Sequence, residues 1–306
     1  MKKIIIGSRG SKLSLAYAEK VKNLILTNEK NIKYENLSIH KIKTSGDKLQ
    51  NQPISKVGGK SLFCKEIEEN LINKEIDIAV HSLKDMDTFE KQELIIGSYL
   101  KRNDPRDVFL SKNFKNLKEL EFKIVGSSSK RREFQMNLIN KKIKIKNIRG
   151  NIDSRIEKMN KGLYDGIILA YAGCKTLKLE ENIKKIFPFE QIIPAVGQGI
   201  IVAQCRSDDQ KIIEILKKIN NIQSQNCALA EKEMLRTLCG DCDTAVGGIA
   251  TIENEKINLK GQLFSDDGKK VFNCELTDDV LNAKDLGRKV GQNLLEQAGS
   301  LFTKKK

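Results

Sequence analysis

The feature that most constrains the fold is an alternation of short apolar runs with amphipathic segments. Residues 3–6 and 76–80 have the composition of buried strands, and apolar residues recur at helical spacing across 12–28. This β-α-β-α-β order predicts parallel strands joined by crossover helices. Ligands of such sheets bind at the carboxyl ends of the strands. We therefore expect the polar turns that follow the strands to carry the functional site.

A second α/β region is predicted from about residue 100. Its strand-like runs are 123–126, 142–148, 165–170 and 200–205. Helices are predicted between these runs, followed by one over 208–219. The sequence therefore predicts the α/β class, with two similar units that show no sequence repetition.

The chain changes character after about residue 218. A helix is predicted over 222–238, and the segment that follows alternates as three strands. Turns are expected near Asn254 and at Asp267-Gly268, and a last helix is expected over 282–297. This pattern predicts a small C-terminal α+β domain with a three-stranded antiparallel sheet.

The formal net charge of +15 invites a nucleic-acid-binding hypothesis. However, the 55 basic residues include only 10 Arg, so 45 are Lys, which indicates a general lysine background. Four arginines lie near Gly or Ser turns: Arg131, Arg132, Arg149 and Arg155. A guanidinium grips carboxylate or phosphate with two hydrogen bonds. The group favours an anionic small-molecule site, although a surface ion pair remains the alternative for any single Arg.

The turns after the predicted strands repeat one arrangement. Ser128 and Ser129 open a predicted helix, where backbone N–H groups favour an anion, and Arg9 and Ser11 follow the first strand in the same way. No GxxxxGK[ST] loop follows a strand, so a nucleotide site is not expected.

A disulfide framework is not expected, because the chain has seven cysteines, an odd number, and no signal peptide is evident. Cys239 and Cys242 form a lone CxxC, and the only histidines are His40 and His81. Four zinc ligands are not available in this spacing, so no metal site is expected. A reactive single thiol in this loop is the more specific interpretation.

Asp85 is an acid among basic turns, in the string HSLKD. It could cap a helix or pair with a cation. Alternatively, its carboxylate could stabilise a developing positive charge and move a proton. His81 in the same string is interpreted as a packed turn residue, since no Ser/His/Asp order supports hydrolase chemistry.

No apolar run reaches the roughly 18 residues of a membrane span. The first seven residues have the pattern of a buried strand rather than a signal peptide. We therefore expect a soluble, cytoplasmic protein.

Many unrelated strings of this chain together resemble one family. They are GSRGSKLSL, KVGGKSLF, DIAVHSLKD, RNDPRD, IVGSSSKRR, IRGNIDSR, YDGIILAYAG, PAVGQG and the loop of Cys242. In this order and spacing they resemble hydroxymethylbilane synthase, also called porphobilinogen deaminase. The resemblance implies two periplasmic-binding-protein-like (type II) α/β domains around a cleft and a third α+β domain. The implied domains are 1–99 with 200–217, 100–199, and 218–306.

The resemblance also implies an activity. Members of this family are transferases of tetrapyrrole and haem biosynthesis. They join four porphobilinogen molecules head to tail into linear hydroxymethylbilane and release ammonia. They do so on a covalently bound dipyrromethane cofactor. The implied protein is a cytoplasmic monomer without a nucleic-acid or membrane partner.

The implied site has three parts. Cys242 would hold the cofactor through a thioether, and Asp85 would lie at the pyrrole nitrogens. The cofactor carboxylates would be bound by Lys84, Ser129, Arg131 and Arg132. The substrate would be bound by Arg9, Ser11, Phe63, Arg149 and Arg155, with the loop over 56–60 as a lid.

Two departures from the family pattern are visible. Thr176 stands where the family commonly has an Arg, which removes one expected contact to a substrate carboxylate. Cys239-Gly240-Asp241 stands where a glycine pair often precedes the cysteine. The competing hypothesis is a non-catalytic protein that binds an anionic small molecule.

Overall fold

The fold is described from a computed structural model, over residues 3–45, 61–114, 117–239 and 244–304, with side chains from 64 and 119 onward in the second and third ranges. It divides into two compact units. Unit 1 comprises Met1–Arg102 with Ile200–Gln225, and unit 2 comprises Asn103–Gly199 with Asn226–Lys306, within the described residues.

The described helices and strands follow the chain in this order. The helices are α1 (Lys12–Asn28), α2 (Ser61–Ile72), α3 (Lys130–Ile139), α4 (Ile152–Asn160), α5 (Tyr171–Thr176), α6 (Gln210–Lys217), α7 (Ile222–Thr237) and α8 (Ala283–Ala298). The strands are β1 (Ile4–Arg9), β2 (Leu37–Ile42), β3 (Ile78–Ser82), β4 (Leu94–Tyr99), β5 (Asp107–Leu110), β6 (Ile124–Gly126), β7 (Lys144–Lys146), β8 (Gly166–Ala170), β9 (Ile183–Ile186), β10 (Ile201–Arg206), β11 (Val246–Glu253), β12 (Lys256–Phe264) and β13 (Val271–Asp279).

Sheet 1, in unit 1, has the strand order β2-β1-β3-β10-β4. The first three strands are parallel, as the alternating sequence predicts, and α1 and α2 cross over between them. Strand β10 runs antiparallel to both of its neighbours. The pattern of apolar runs alone places residues 200–205 in the second α/β region, and that placement is wrong, because β10 lies in sheet 1. An antiparallel neighbour needs no crossover helix, so a strand more than a hundred residues later in the chain can complete the sheet.

Sheet 2, in unit 2, has the order β7-β6-β8-β5-β9. Again three strands are parallel, while β5 pairs antiparallel with β8 and β9. The two sheets thus share one pattern of strand order and direction. No strand was predicted at β4, β5 or β9.

Sheet 3 comprises β11, β12 and β13 as an antiparallel meander, with α8 packed on it. Its turns lie where the sequence predicts them, with Asn254 and Gly268 both at positive φ. The mixed α/β class with a C-terminal three-stranded antiparallel sheet is therefore confirmed. The division into three domains remains a prediction.

The loop over 194–199 joins sheet 3 to the rest of unit 2. Glu231 on α7 is fully buried, and its carboxylate accepts the N–H groups of Gly197 at 2.7 Å and Ala250 at 2.8 Å. A Cβ at Gly199 would lie 2.5 Å from the carbonyl oxygen of Asn103, and its φ is +86°, so this turn requires glycine. The loop is held by a buried anion on one side and by a close backbone contact on the other.

Within the described ranges, no helix is both long and apolar enough to cross a membrane.

Candidate functional site

In unit 1, the turn after β1 places Arg9 and Ser11 at the start of α1. Arg9 is the last residue of the strand and is half-buried. The hydroxyl of Ser11 accepts the N–H of Ser14 at 3.2 Å and caps the helix. The predicted cation and helix N-terminus are therefore adjacent at the carboxyl end of β1.

The turn Leu83–Asp85 follows β3 as a single 3₁₀ turn and carries Lys84 and Asp85, both half-buried. Strands β1 and β3 are parallel neighbours, so their carboxyl ends share one edge of sheet 1. The charges of Arg9 and Asp85 both act on the pKa of His81, in opposite directions. Unit 1 thus gathers Arg9, Ser11, Lys84 and Asp85 at one sheet edge.

His81 lies inside β3 rather than in the turn itself, and it is buried. Burial lowers the pKa of this imidazole to about 4, and the charge of Arg9 acts in the same direction. Gln204 and Asp85 raise the pKa but do not offset burial. His81 is therefore a neutral, packed side chain at neutral pH.

In unit 2, α3 begins at the cap Ser129, whose hydroxyl lies 3.5 Å from the backbone N of Arg132. Arg131 and Arg132 are buried in the first turn of α3. Asp107, the first residue of β5, receives both guanidiniums, at 2.8 Å from Arg131 and 2.7 Å from Arg132. The two arginines and one aspartate form what we call the arginine cluster.

The arginine cluster is fixed by further hydrogen bonds. Arg131 donates to the carbonyl of Ile193 at 2.7 Å, and Arg132 donates to that of Ile168 at 3.1 Å. The Gln198 amide donates to Asp107 at 2.8 Å. Burial alone would raise the pKa of Asp107, but the charges of Arg131 and Arg132 and these hydrogen bonds hold it well below its usual range. Asp107 is therefore an anion at neutral pH.

Arg149 and Arg155 lie in the turn and helix after β7, next to the turn that opens α3. The Nε of Arg155 donates to the carbonyl of Gly150 at 2.8 Å, and Ser128 donates a short hydrogen bond to the carbonyl of Ile148. Burial lowers the pKa of Arg149. Since β6 and β7 are parallel neighbours, these arginines and Ser129 share the edge of sheet 2.

Other predicted positions lie outside the description. Cys242 and the loop over 56–60 fall in the gaps at 240–243 and 46–60. Phe63 belongs to α2, but its side chain lies outside the described part.

Two departures from the family pattern can be placed in part. Thr176 is the last residue of α5. Its hydroxyl donates to the carbonyl of Ala172 at 2.8 Å, so the hydroxyl makes a hydrogen bond within its own helix. Cys239 follows α7 with φ of +49°, directly before the gap that contains Cys242.

Sequence reasoning missed Asp107 of the arginine cluster and Gln198, which donates to it. Both belong to strings that carry the family resemblance, RNDPRD and PAVGQG. In the structure Asp107 opens a fully buried strand, where a carboxylate is almost always paired.

The fold and these turns define an α/β chain in which parallel strands of both sheets end in basic, helix-opening turns. Residues 4–214 match the family model described as porphobilinogen deaminase, dipyromethane cofactor binding domain. Residues 225–296 match the model of the porphobilinogen deaminase C-terminal domain. The chain belongs to the porphobilinogen deaminase family.

Relatives named porphobilinogen deaminase match nearly the whole chain. The protein of Brevibacillus brevis is 41% identical over 295 residues, covering 95% of this chain and 94% of the relative. That of Alkaliphilus metalliredigens is 37% identical, covering 97% and 93%. That of Ehrlichia chaffeensis is 39% identical, covering 98% and 99%.

Solved structures with some similarity include periplasmic and transporter domains. The VFT2 domain of Bordetella pertussis BvgS is 11% identical with a TM-score of 0.43, covering 71% of this chain and 86% of that one. The second substrate binding domain of a putative amino acid ABC transporter from Streptococcus pneumoniae is also 11% identical, with a TM-score of 0.43 and coverages of 71% and 90%.

Proposed function

We propose that this chain is an active porphobilinogen deaminase. It joins four porphobilinogen molecules into linear hydroxymethylbilane with release of ammonia, on a dipyrromethane cofactor bound to Cys242. The observation that carries the proposal is the match of two successive domain models of this family to residues 4–214 and 225–296. Nothing in the described residues favours the alternative of a non-catalytic binding protein.

The arginine cluster has the chemistry that the cofactor needs. Its two guanidiniums share one carboxylate, so the cluster carries a net positive charge in the protein interior. The Nε atoms of Arg131 and Arg132 are buried and have no hydrogen-bond partner. A carboxylate of a cofactor pyrrole would neutralise this charge and could accept hydrogen bonds from these N–H groups. The donor set therefore fits an anionic prosthetic group.

We assign residue roles on this basis. Cys242 would hold the cofactor, and Lys84, Ser129, Arg131 and Arg132 would bind its carboxylates. When bound, the dipyrromethane supplies the pyrrole carbon to which the first substrate molecule is joined. Arg9, Ser11, Phe63, Arg149 and Arg155 would bind the incoming porphobilinogen and orient it for loss of ammonia.

Asp85 would act at the pyrrole nitrogens of the reacting substrate. Positive charge develops there as the new carbon–carbon bond forms, and a fixed carboxylate stabilises it. The same carboxylate can then accept and return a proton. Its place at the carboxyl end of β3, on the edge that also carries Arg9, supports this role.

Further parts of the proposal concern the setting of the enzyme. We propose a cytoplasmic monomer whose partner is the small molecule porphobilinogen. Nucleic acids and membranes are not proposed as partners, since the positive charge is mainly a lysine background.

The test is intact mass spectrometry of the purified protein combined with an assay of porphobilinogen consumption. We expect a mass increment equal to one dipyrromethane and a red colour with an acidic aldehyde reagent. The variant Cys242→Ser should lack the increment, and the matched control Cys239→Ser should keep it.

An unmodified mass together with no consumption of porphobilinogen would overturn the proposed function. Loss of the increment in Cys239→Ser with retention in Cys242→Ser would instead move the attachment site.

A further inference from the structure

A buried thiol and imidazole lie directly under the turn that carries Asp85. The Sγ of Cys64 on α2 lies 3.5 Å from the carbonyl oxygen of Asp85 and 3.6 Å from the Nδ1 of His81. Both side chains are buried, with 2% and 6% exposure. Neither group has a place in the proposed mechanism, so their burial at this point needs its own explanation.

We propose that Cys64 and His81 are positioning residues that hold the Asp85 turn against α2. The single thiol proton lies between two acceptors, the carbonyl oxygen of Asp85 and the Nδ1 of His81, and the two share it in a three-centre hydrogen bond. This inference rests on the proposed function, because it takes Asp85 to be the residue that acts on the substrate.

The protonation states suit this arrangement. Burial raises the pKa of the Cys64 thiol far above its usual range, and the charges of Glu68, Asp85 and Asp87 act in the same direction, against Arg9. The thiol therefore keeps its proton and can donate it in a hydrogen bond. The imidazole stays neutral at neutral pH, so one of its nitrogens is an acceptor.

Gln204 on β10 determines which of the two imidazole nitrogens of His81 is the acceptor. Its amide nitrogen donates to Glu68 at 3.2 Å, so its carbonyl oxygen is left to face a donor. This oxygen and the Nε2 of His81 are both buried and neither has a hydrogen-bond partner among the described residues, and the Gln204 side chain raises the pKa of His81, as a nearby acceptor does. The arrangement assigns the proton to Nε2 and leaves Nδ1 to accept from Cys64.

The connection continues to the surface through Glu68, whose carboxylate pairs with Lys91 at 3.2 Å. A buried polar chain thus ties α2, β3 and β10 to the carbonyl of Asp85. Such supporting contacts matter because a catalytic group must be held within about 0.5 Å of its working position.

The first experiment needs no catalytic activity. It records ¹⁵N NMR of the histidine rings, of which the chain has two, with the exposed His40 as the internal reference. We expect His81 at pH 7 as the neutral Nε2–H form, with an Nδ1 signal that moves in Cys64→Ala. The matched control is Cys205→Ala, a buried cysteine of the same unit that packs in the core with Leu216. It should leave the His81 signal in place.

The infrared S–H band gives an independent measurement. The difference spectrum between the wild type and Cys64→Ala should show a band shifted to lower frequency, as expected for a hydrogen-bonded thiol. A band at the position of a free thiol, or a His81 ring that carries its proton on Nδ1, would overturn the proposal.

The second experiment measures steady-state kinetics of cofactor-loaded protein. Loss of one supporting hydrogen bond should lower kcat about three- to tenfold in Cys64→Ala, with KM unchanged. Cys64→Ser keeps a donor and should restore kcat to within about twofold of the wild type. Cys205→Ala should match the wild type.

The outcomes separate the two proposals. A wild type that does not consume porphobilinogen contradicts the proposed function, while the NMR and infrared results still decide the contact. An active wild type with full kcat in Cys64→Ala, or with equal losses in Cys64→Ala and Cys205→Ala, overturns the positioning role.

Discussion

Sheet 1 and sheet 2 have the same strand order and the same strand directions, yet they differ at one equivalent position. In sheet 2, the antiparallel strand β5 opens with Asp107 opposite Ala170, the last residue of β8. In sheet 1, the antiparallel strand β10 opens with Ile201 opposite Ser82, the last residue of β3. A buried charge in one unit thus corresponds to an apolar side chain in the other.

The difference indicates two ways of binding an anionic group. Asp107 allows Arg131 and Arg132 to be buried and immobile, which suits a group that is bound once and kept. Sheet 1 has no such anchor at this position, and Arg9 lies half-buried at the end of β1, which suits a substrate that binds and is then replaced. The proposed roles of Arg131, Arg132 and Arg9 follow this contrast, whereas Lys84 in unit 1 is assigned to the cofactor and Arg149 and Arg155 in unit 2 to the substrate.

The largest effect on activity is expected from a change at Asp85, in unit 1. Asp85→Asn keeps the size of the side chain and removes its charge, so kcat should fall about 100- to 10,000-fold. The cofactor should still be present by intact mass, because the arginine cluster is untouched. The control Asp87→Asn changes a neighbouring acid and should keep activity. Normal turnover in Asp85→Asn would show that this carboxylate is not the catalytic group.

The second test removes the anchor of the arginine cluster. Asp107→Asn leaves two buried guanidiniums without their counter-ion and should lower the free energy of unfolding by about 3–5 kcal/mol. The control is Asp104→Asn, whose carboxylate is 23% exposed and pairs with Arg106. Its loss should amount to about 0–1 kcal/mol. Urea unfolding at pH 7 measures both, and equal losses would mean that the buried cluster has no special role.

The two units should also lose stability in different pH ranges. The pKa of Asp107 is held below its ordinary 3.8, so its contribution is present above that pH and is lost as the pH falls further. The pKa of His81 is lowered from 6.5 to about 4, so on acidification the unfolded chain binds a proton before the folded chain does. The free energy of unfolding therefore decreases as the pH falls from 6.5 to about 4.

Urea unfolding as a function of pH checks both ranges. Asp107→Asn should flatten the profile only at the acid end, and His81→Gln only between pH 6.5 and about 4. A single variant that flattens both ranges would show that the two groups are coupled.

The smallest effects are expected at the helix caps. Ser11→Ala and Ser129→Ala each remove a cap and should lower the free energy of unfolding by about 1 kcal/mol. Only Ser129→Ala should also lower the fraction of cofactor-loaded protein by intact mass, and threonine at either position should restore the cap. Equal cofactor loading in both alanine variants would remove Ser129 from the cofactor site.

Local signals made parts of the fold predictable. The helix predicted over 12–28 agrees with α1, because its apolar spacing and the Ser11 cap lie within the segment itself. By contrast, β5 and β9 have four residues each, too few for a periodic pattern. The antiparallel placement of β10 depends on β3, more than a hundred residues earlier in the chain.

The candidate site shows the same limit. Arg131 and Arg132 could be singled out because arginine is rare in this chain and follows a serine turn. Asp107 could not be assigned to them, because only the folding of sheet 2 brings β5 beside α3. Cys64 had no sequence signal at all, since its role depends on the backbone of Asp85 and not on a motif.

The position of β10 in sheet 1 has a consequence for synthesis on the ribosome. All strands of sheet 2 lie between residues 107 and 186, so that sheet can form as soon as this stretch has emerged. Sheet 1 begins earlier in the chain but lacks its fourth strand until residues 201–206 have emerged. Until then the facing edges of β3 and β4 are unpaired, which exposes them to association with other nascent chains. Sheet 1 is therefore the first sheet to begin synthesis and the second to be completed.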